Sequence, residues 1–135
     1  MPILAAARAL YPPDWPAIAR RVKDAAGWRC QRCEARHGAW GSRDRRGRFL
    51  EVVPADMAAL GHGKPPFRRR LSRGGFVRVI VVVVAACHLD HHPPNCAPGN
   101  LACLCQHCHL QHDERQHVRS AGATRRARMG TPDLF

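Results

Sequence analysis

Residues 76–118, which decide the fold, read FVRVIVVVVAACHLDHHPPNCAPGNLACLCQHCHLQHDERQHV. The apolar, β-branched run over Phe76–Ala86 predicts a buried strand. This run leads into the sequence CHLDHH, and after a loop the chain gives a CxxC pair at residues 105–108. A polar, histidine-bearing helix is then expected to reach about Val118 or Arg119. The order predicts a strand, a loop and a helix gathered around metal-binding side chains.

A second helix is predicted upstream, over residues 15–26. Asp14 stands at the position of an N-cap and Pro16 lies in the first turn. Apolar residues recur at helical spacing from Trp15 onward, and Gly27 is expected to end the helix. A first CxxC pair follows at residues 30–33 and predicts a tight turn.

The length of 135 residues fits one small domain of the α+β class. The domain is predicted over residues 14–119, after an arm at 1–13 and before a frayed basic tail at 120–135. Residues 37–75 are rich in Gly, Pro and Arg and contain only short apolar pieces. They predict a loop-rich basic insert, with one hairpin at most.

The charge is strongly basic, with 22 Lys+Arg against 10 Asp+Glu and a net charge of +12. Residues 41–86 contribute ten basic and three acidic side chains (+7), whereas residues 87–135 contribute five and four (+1). Such a balance indicates nucleic acid or an anionic membrane as a partner. Two arginine clusters are the candidates for contacts with DNA phosphates: Arg43, Arg45 and Arg46, and Arg68, Arg69 and Arg70.

Neither a membrane span nor an export signal is expected. The longest apolar run, Val79–Cys87, has nine residues, and a spanning helix needs about 20. A cytoplasmic location is therefore expected. In that compartment clustered cysteines indicate metal ligands rather than disulfides.

The two CxxC pairs predict a structural zinc site. Two such turns supply four thiolates for a closed tetrahedral ion, which leaves no open position for a substrate. The predicted ligands are Cys30, Cys33, Cys105 and Cys108. A site that recruits Cys103 or His109, and a redox CxxC, are the alternatives.

Seven of the nine histidines lie between residues 88 and 117. His109, Asp113 and His117 are spaced i, i+4 and i+8, so they share one face of the predicted helix, and His112 lies about 60° away. Imidazole and carboxylate groups on one face suit a divalent cation.

His88, Asn100 and His109, set between two CxxC pairs, resemble the HNH endonuclease family. The string HLDHHPPNCAPGNLACLCQHCHLQHD is especially similar to the small HNH proteins of phages and bacteria. The resemblance covers roughly residues 11–36 and 76–118 and leaves 37–75 uncovered. It implies a ββα-metal finger stapled by the four-cysteine zinc site.

The resemblance also implies roles for individual residues. His88 falls at the position of the general base, and Asn100 at the position of the middle Asn that braces the loop. His109 falls at the final motif histidine, a metal ligand, and Asp113 falls where many members carry a further ligand. The catalytic cation implied is Mg²⁺, Mn²⁺ or another divalent ion.

One position departs from the family pattern. Many members place His or Asp before the base, whereas Cys87 stands there in this chain, and a thiolate prefers softer metals than Mg²⁺. Asp90 is the expected replacement as a ligand of the catalytic cation. An alternative register takes Asp90 and His91 as the ligand–base pair.

The sequence therefore predicts a metal-dependent HNH endonuclease that hydrolyses phosphodiester bonds in DNA, most simply in duplex form. No membrane partner and no small-molecule organic cofactor are expected. The alternative is a zinc-stapled module that binds nucleic acid without cutting it, because the net charge alone would serve either function.

Overall fold

The computed structural model describes residues 5–129, apart from the side chains of residues 5, 6, 115, 117, 120 and 127–129. The predicted α+β class is confirmed. The helices are α1 (Ala5–Arg8), α2 (Trp15–Ala25), α3 (Pro54–Ala59) and α4 (Gln106–Met129). The strands are β1 (Trp40–Arg43), β2 (Phe49–Val52), β3 (Phe67–Arg70), β4 (Phe76–Val81), β5 (Val84–His88) and β6 (Leu101–Cys105).

The histidine-bearing part of the chain is an antiparallel hairpin followed at once by a helix. Strands β5 and β6 pair from Val84 opposite Cys105 to His88 opposite Leu101. The connecting loop ends in a 3-10 turn over Pro98–Asn100, and α4 begins at the residue after β6. The order β–β–α places the end of β5 beside the first turns of α4.

The predicted N-terminal helix is confirmed as α2, which packs against both β5 and β6. Pro16 lies in its first turn, but the side chain of Asp14 at the N-cap makes no capping hydrogen bond. The helix ends at Ala25, and Gly27 then adopts a φ of +64°, a backbone conformation that favours glycine.

Residues 37–75 are not the loop-rich insert that the sequence predicts. They form β1, β2, α3 and β3, and with β4 these strands build an antiparallel sheet in the order β2-β1-β4-β3. Strands β1, β2 and β3 are only four residues long, so the composition of the segment resembles that of loops. β1 and β2 form the one hairpin that the sequence allows. β3 and the joining of these strands into one sheet depend on β4, which lies outside the segment, and local composition does not report such partners.

The apolar run over 76–86 is two strands and not one. β4 belongs to the four-stranded sheet and β5 to the hairpin, with a bend at Val82 and Val83 between them. The side chain of Gln106, the first residue of α4, holds this bend: its amide nitrogen donates to the carbonyl of Val81 at 2.8 Å, and its oxygen accepts from the Val83 N–H at 2.9 Å.

The C-terminal helix is longer than predicted, because α4 continues through residues 120–129 of the expected tail. Residues 130–135 of that tail and residues 1–4 of the expected arm lie outside the described part of the chain. Within residues 5–129, no helix has the length and apolar character needed to cross a membrane.

The core lies between the hairpin, α2 and the two CxxC turns. Its buried members include Val82 at the bend, Cys103 on β6 and Leu104 beside it. The first CxxC turn is joined to β6 because Gln31 exchanges two 2.8 Å hydrogen bonds with the backbone of Cys103. Cys103 is thus a buried small residue of the core.

Val82→Ala should lower the free energy of unfolding by about 2 kcal/mol, because it removes a fully buried side chain from the bend between the sheets. Chemical denaturation measures the change. The matched control is Val83→Ala, since Val83 is 53% exposed and its loss should cost less than about 0.5 kcal/mol. Equal losses in the two variants would contradict the assigned packing.

Candidate metal centres and candidate active site

The four cysteines predicted to bind zinc lie together. Their sulfur atoms are all within 4.8 Å of one another, and Cys33 Sγ is 3.6 Å from Cys105 Sγ. A tetrahedral zinc ion with Zn–S bonds near 2.3 Å would hold its sulfurs about 3.8 Å apart. The donor set and spacing therefore fit a structural metal ion such as zinc, on the ligands Cys30, Cys33, Cys105 and Cys108.

Backbone N–H groups of both turns point at sulfur, and in the first turn they favour the charged form of Cys30. The Cys33 N–H points at Cys30 Sγ and the Cys108 N–H points at Cys105 Sγ, each at 3.5 Å. Burial raises the pKa of the Cys30 thiol, but N–H groups, led by that of Cys33, outweigh it and bring the pKa down to about 6. A thiolate at this position is the form that a metal ion requires.

Arg43 is directed at the cysteine cluster and not at solvent. Its guanidinium donates to Cys33 Sγ at 3.3 Å, to Cys105 Sγ at 3.1 Å and to the carbonyl of Gly47 at 3.0 Å, and it lies over the ring of Phe49. The prediction that Arg43 contacts DNA phosphate is therefore not supported. Its charge instead offsets that of the thiolates.

The histidine-rich segment forms a second site, a cavity of about 160 Å³ at the end of β5. The cavity is lined by Tyr11, Ala86, Cys87, His88, His91, Pro93, His109 and Asp113. It brings together three of the predicted site residues: His88, His109 and Asp113. It also includes His91, the base of the alternative register.

Asp113 joins two histidines from opposite sides of this cavity. One carboxylate oxygen lies 2.7 Å from Nε2 of His91 in the loop, and the other lies 2.9 Å from Nε2 of His109 on α4. The Asp113 side chain is only 14% exposed. Because His109 precedes Asp113 by one helical turn, the predicted shared face accounts for the contact between these two residues. It does not account for the contact with His91, which lies in the loop.

His112 belongs to the same group, although it lies off the predicted shared face of the helix. Its Nε2–H donates to the carbonyl of Leu89 at 2.9 Å, and its ring stacks on His91 at 4.9 Å between centroids. This bond leaves Nδ1 of a neutral ring with a lone pair, an arrangement common for histidine ligands. Ligand atoms of His91, His112 and Asp113 lie within 4.8 Å of one another.

His88 ends β5 under an aromatic cover. Its ring stacks on Trp15 at 4.7 Å between centroids and meets the edge of Tyr11 at 5.6 Å. The residue is 8% exposed, and Nε2 lies 3.6 Å from Cys96 Sγ. Burial lowers the pKa of His88 below its usual 6.5, so the imidazole is neutral at pH 7.

Asn100 and Asp90 brace the loop and do not line the cavity. The Asn100 side-chain amide donates to Asp90 Oδ1 and to the carbonyl of Asn95, both at 2.8 Å, and its oxygen accepts from the Asp90 N–H. Asp90 also accepts from the Asn95 amide and the His92 N–H. The geometry supports the expected bracing by Asn100, but it does not support Asp90 as a ligand.

Cys87 lines the cavity as a thiol. Burial, followed by the nearby Asp113 carboxylate, raises the pKa of Cys87 to about 12, and its sulfur donates to the carbonyl of Ala85 at 3.4 Å. Ligand atoms of Cys87 are not among those that lie within 4.8 Å of one another around Asp113 in the described residues. The side chain of His117 lies outside the described residues.

The remaining predicted DNA contacts divide by their position. Arg45 and Arg46 are exposed in the turn between β1 and β2, and Arg68 and Arg70 are exposed on β3. Arg69 is half-buried and lies on the other face of the same strand, because side chains alternate along a strand.

Sequence reasoning missed the contacts of Tyr11 and Trp15 with His88. It also did not single out Arg78, because this arginine lies within an apolar run. An aromatic pair before the first CxxC turn was the available signal for the cover over His88.

Comparison with known proteins gives no match: no family model, no curated protein and no solved structure matches the chain.

Asn100→Ala should loosen the loop and raise the pKa of the Asp90 carboxyl, which amide groups of Asn95 and then Asn100 lower from 3.8 to about 2. A carboxyl with a lowered pKa stabilises the fold above pH 3.8, and that stability is lost as the pH falls towards 2. As the pH falls from 3.8 towards 2, Asn100→Ala should therefore lose less of its free energy of unfolding than the wild type does.

Carbon-detected NMR titration of Asp90 and thermal melts at each pH measure the two effects. Asn95→Ala is the matched control, since it also raises the pKa but keeps the bond from the Asp90 N–H to Asn100. An unchanged Asp90 titration in Asn100→Ala would refute the bracing role.

Proposed function

We propose that this chain is a metal-dependent nuclease of the HNH class that hydrolyses phosphodiester bonds in DNA. The observation that carries the proposal is the Asp113 carboxylate held between His91 and His109, in a cavity whose wall contains a buried neutral imidazole. The hairpin-then-helix order and the basic charge agree with it. The resemblance noted in the sequence adds independent support.

In this proposal His88 is the general base. The reaction needs a group that takes a proton from water at neutral pH, and a neutral imidazole is suited to that task. The stack on Trp15 fixes the ring plane, and burial keeps the imidazole unprotonated. His91 is less suited to this role, because its Nε2 is already engaged by Asp113.

The residues that would hold a divalent cation surround Asp113. His91 comes from the loop, whereas His109 and His112 come from α4. When bound, such a cation neutralises charge on the phosphate and stabilises the 3′ leaving oxygen. Imidazole-rich sites favour Mn²⁺, Ni²⁺ or Zn²⁺ over Mg²⁺, so this donor set favours a transition metal.

The four-cysteine cluster would hold a structural zinc ion. It supplies four sulfur ligands and leaves no position for water or substrate, so its role is to join the first CxxC turn to the start of α4. The two proposed metal sites differ in chemistry, because the cysteine cluster offers only sulfur ligands whereas the cavity offers nitrogen and oxygen ligands.

Wild-type protein should nick or cut supercoiled plasmid, and His88→Ala should slow cleavage by about 10²- to 10⁴-fold through loss of the base. Agarose gels with Mg²⁺, Mn²⁺ and Ni²⁺ measure the rates, and we expect Mn²⁺ or Ni²⁺ to exceed Mg²⁺. Asp113→Asn should abolish cleavage with every metal.

His92→Ala is the matched control, because His92 neighbours His91 but does not line the cavity, and its cleavage rate should stay near that of wild type. Circular dichroism of His88→Ala tests whether the variant keeps its fold. The nuclease proposal fails if no metal supports cleavage, or if His88→Ala cleaves as fast as wild type.

Cys108→Ser should lose zinc and unfold at a markedly lower temperature, because binding energy at such a site is largely folding energy. Metal analysis of the purified protein and thermal melts check both effects. Cys96→Ser, which changes a half-buried cysteine outside the cluster, should keep one zinc ion per chain. A melt unaffected by zinc removal would contradict the structural role.

One observation favours a second function, a zinc-stapled module that binds nucleic acid without cutting it. His88 is covered by Trp15 and Tyr11, so little of its ring is open to the water that a general base must activate. Duplex binding with a steep salt dependence and no cleavage with any metal would establish this function instead.

A further inference from the structure

Strands β3 and β4 form a two-stranded ribbon that projects beyond the rest of their sheet. β4 pairs with β3 along Phe76–Val79, but it pairs with β1 only at Ile80 and Val81. β3 is an edge strand of the sheet. Within residues 5–129, the four paired positions of the ribbon therefore have no further strand beside them.

The two faces of the ribbon differ in character. Phe67 and the fully buried Val79 are opposite one another on the inner face, where Phe67 stacks on His62 at 4.3 Å between ring centroids. The outer face is exposed and carries Arg68, Arg70, Phe76 and Arg78. One face thus packs against the protein and the other presents arginines to solvent.

Two of the arginines on the outer face are direct cross-strand partners. Arg68 lies opposite Arg78 in the register, and like charges in this position destabilise a sheet. Between Asp56 and Asp90 the chain has no acidic residue, so no carboxylate of this segment offsets them. A bound polyanion would relieve this repulsion, and local conflicts of this kind are expected at functional sites.

The exposed aromatic ring supports the same interpretation. Phe76 is 59% exposed, and the Arg68 guanidinium lies over its ring at 5.2 Å. This contact holds the guanidinium against the sheet while its outer edge stays open to solvent. Arginine in such a fixed orientation suits bidentate binding of phosphate.

We propose that the outer face of the β3–β4 ribbon binds duplex DNA, with Arg68, Arg70 and Arg78 on the phosphates beside the major groove. The major groove of B-DNA is about 12 Å wide and admits a two-stranded ribbon, whereas the major groove of A-form RNA is deep and narrow. This inference rests on the proposed nuclease function for its substrate, but it concerns a surface outside the cavity.

The test is the salt dependence of duplex binding, measured by fluorescence anisotropy without other divalent cations. The protein is loaded with one equivalent of zinc, which the four-cysteine cluster takes, so that the cavity holds no cation and cleavage does not occur. Each lost phosphate contact lowers the slope of log K against log salt by about 0.9. The Arg68→Gln, Arg78→Gln double variant should therefore lower the slope by about 2. Arg70→Gln alone should lower it by about 1.

The matched control is the Arg20→Gln, Arg32→Gln double variant, which removes the same charge from exposed positions on α2 and the first CxxC turn. Its slope should stay at the wild-type value. An equal fall in the control, an unchanged slope in the ribbon variant, or no duplex binding by wild type would overturn the inference. So would equal binding of duplex RNA with the same dependence on Arg68 and Arg78.

The two proposals fail separately in these experiments. If the protein binds DNA through the ribbon but no metal ion supports cleavage, the ribbon proposal stands and the nuclease proposal fails. If the protein cleaves plasmid but the ribbon variant binds DNA with the wild-type salt slope, the nuclease proposal stands and the ribbon proposal fails.

Discussion

The rest of the structure depends on the meeting of four thiols from two segments that are far apart in the chain. Cys33 and Cys105 are separated by 72 positions, and closing a loop of that length costs about 4 kcal/mol in chain entropy. A structural zinc site typically contributes about 10–16 kcal/mol, which exceeds this cost. The hydrogen bonds between Gln31 and Cys103 act in the same direction but each contributes only about 1 kcal/mol. A metal ion at the cluster would therefore more than offset the entropy cost of bringing the two segments together.

This constraint also determines where the histidine cavity lies. Cys105 ends β6 and Cys108 lies in the first turn of α4, so the start of the helix is held against the hairpin. His109 and Asp113 then follow at a fixed rise of about 1.5 Å per residue. The loop is braced from the other side by Asn100, which brings His91 to Asp113. The relative position of the two candidate metal sites is thus determined by the spacing of their ligands along the chain and by α4, which carries ligands of both.

Patterns confined to one element were predictable from the sequence, and those that depend on distant partners were not. The helical period over residues 15–25, the CxxC turns, and the i, i+4 relation of His109 to Asp113 require only local geometry. The division of residues 76–86 required knowledge that Gln106 would hold Val81 and Val83 in a bend. Arg43 was indistinguishable in the sequence from its exposed neighbours, because its direction is set by sulfurs 10 and 62 positions away. The sheet formed by residues 37–81 was missed for the same reason.

Arg43 connects the two sheets through charge. It lies on β1, in the sheet that carries the ribbon, and its guanidinium contacts sulfurs from both CxxC segments. A four-thiolate zinc site carries an excess negative charge of two, and a half-buried guanidinium beside it offsets part of that charge where water screens it weakly. The Arg43 Nε is buried without a hydrogen-bond partner, a cost that the two sulfur contacts must exceed. The orientation of the basic sheet relative to the histidine cavity therefore depends on the sulfur cluster, although none of the four cysteines lies in that sheet.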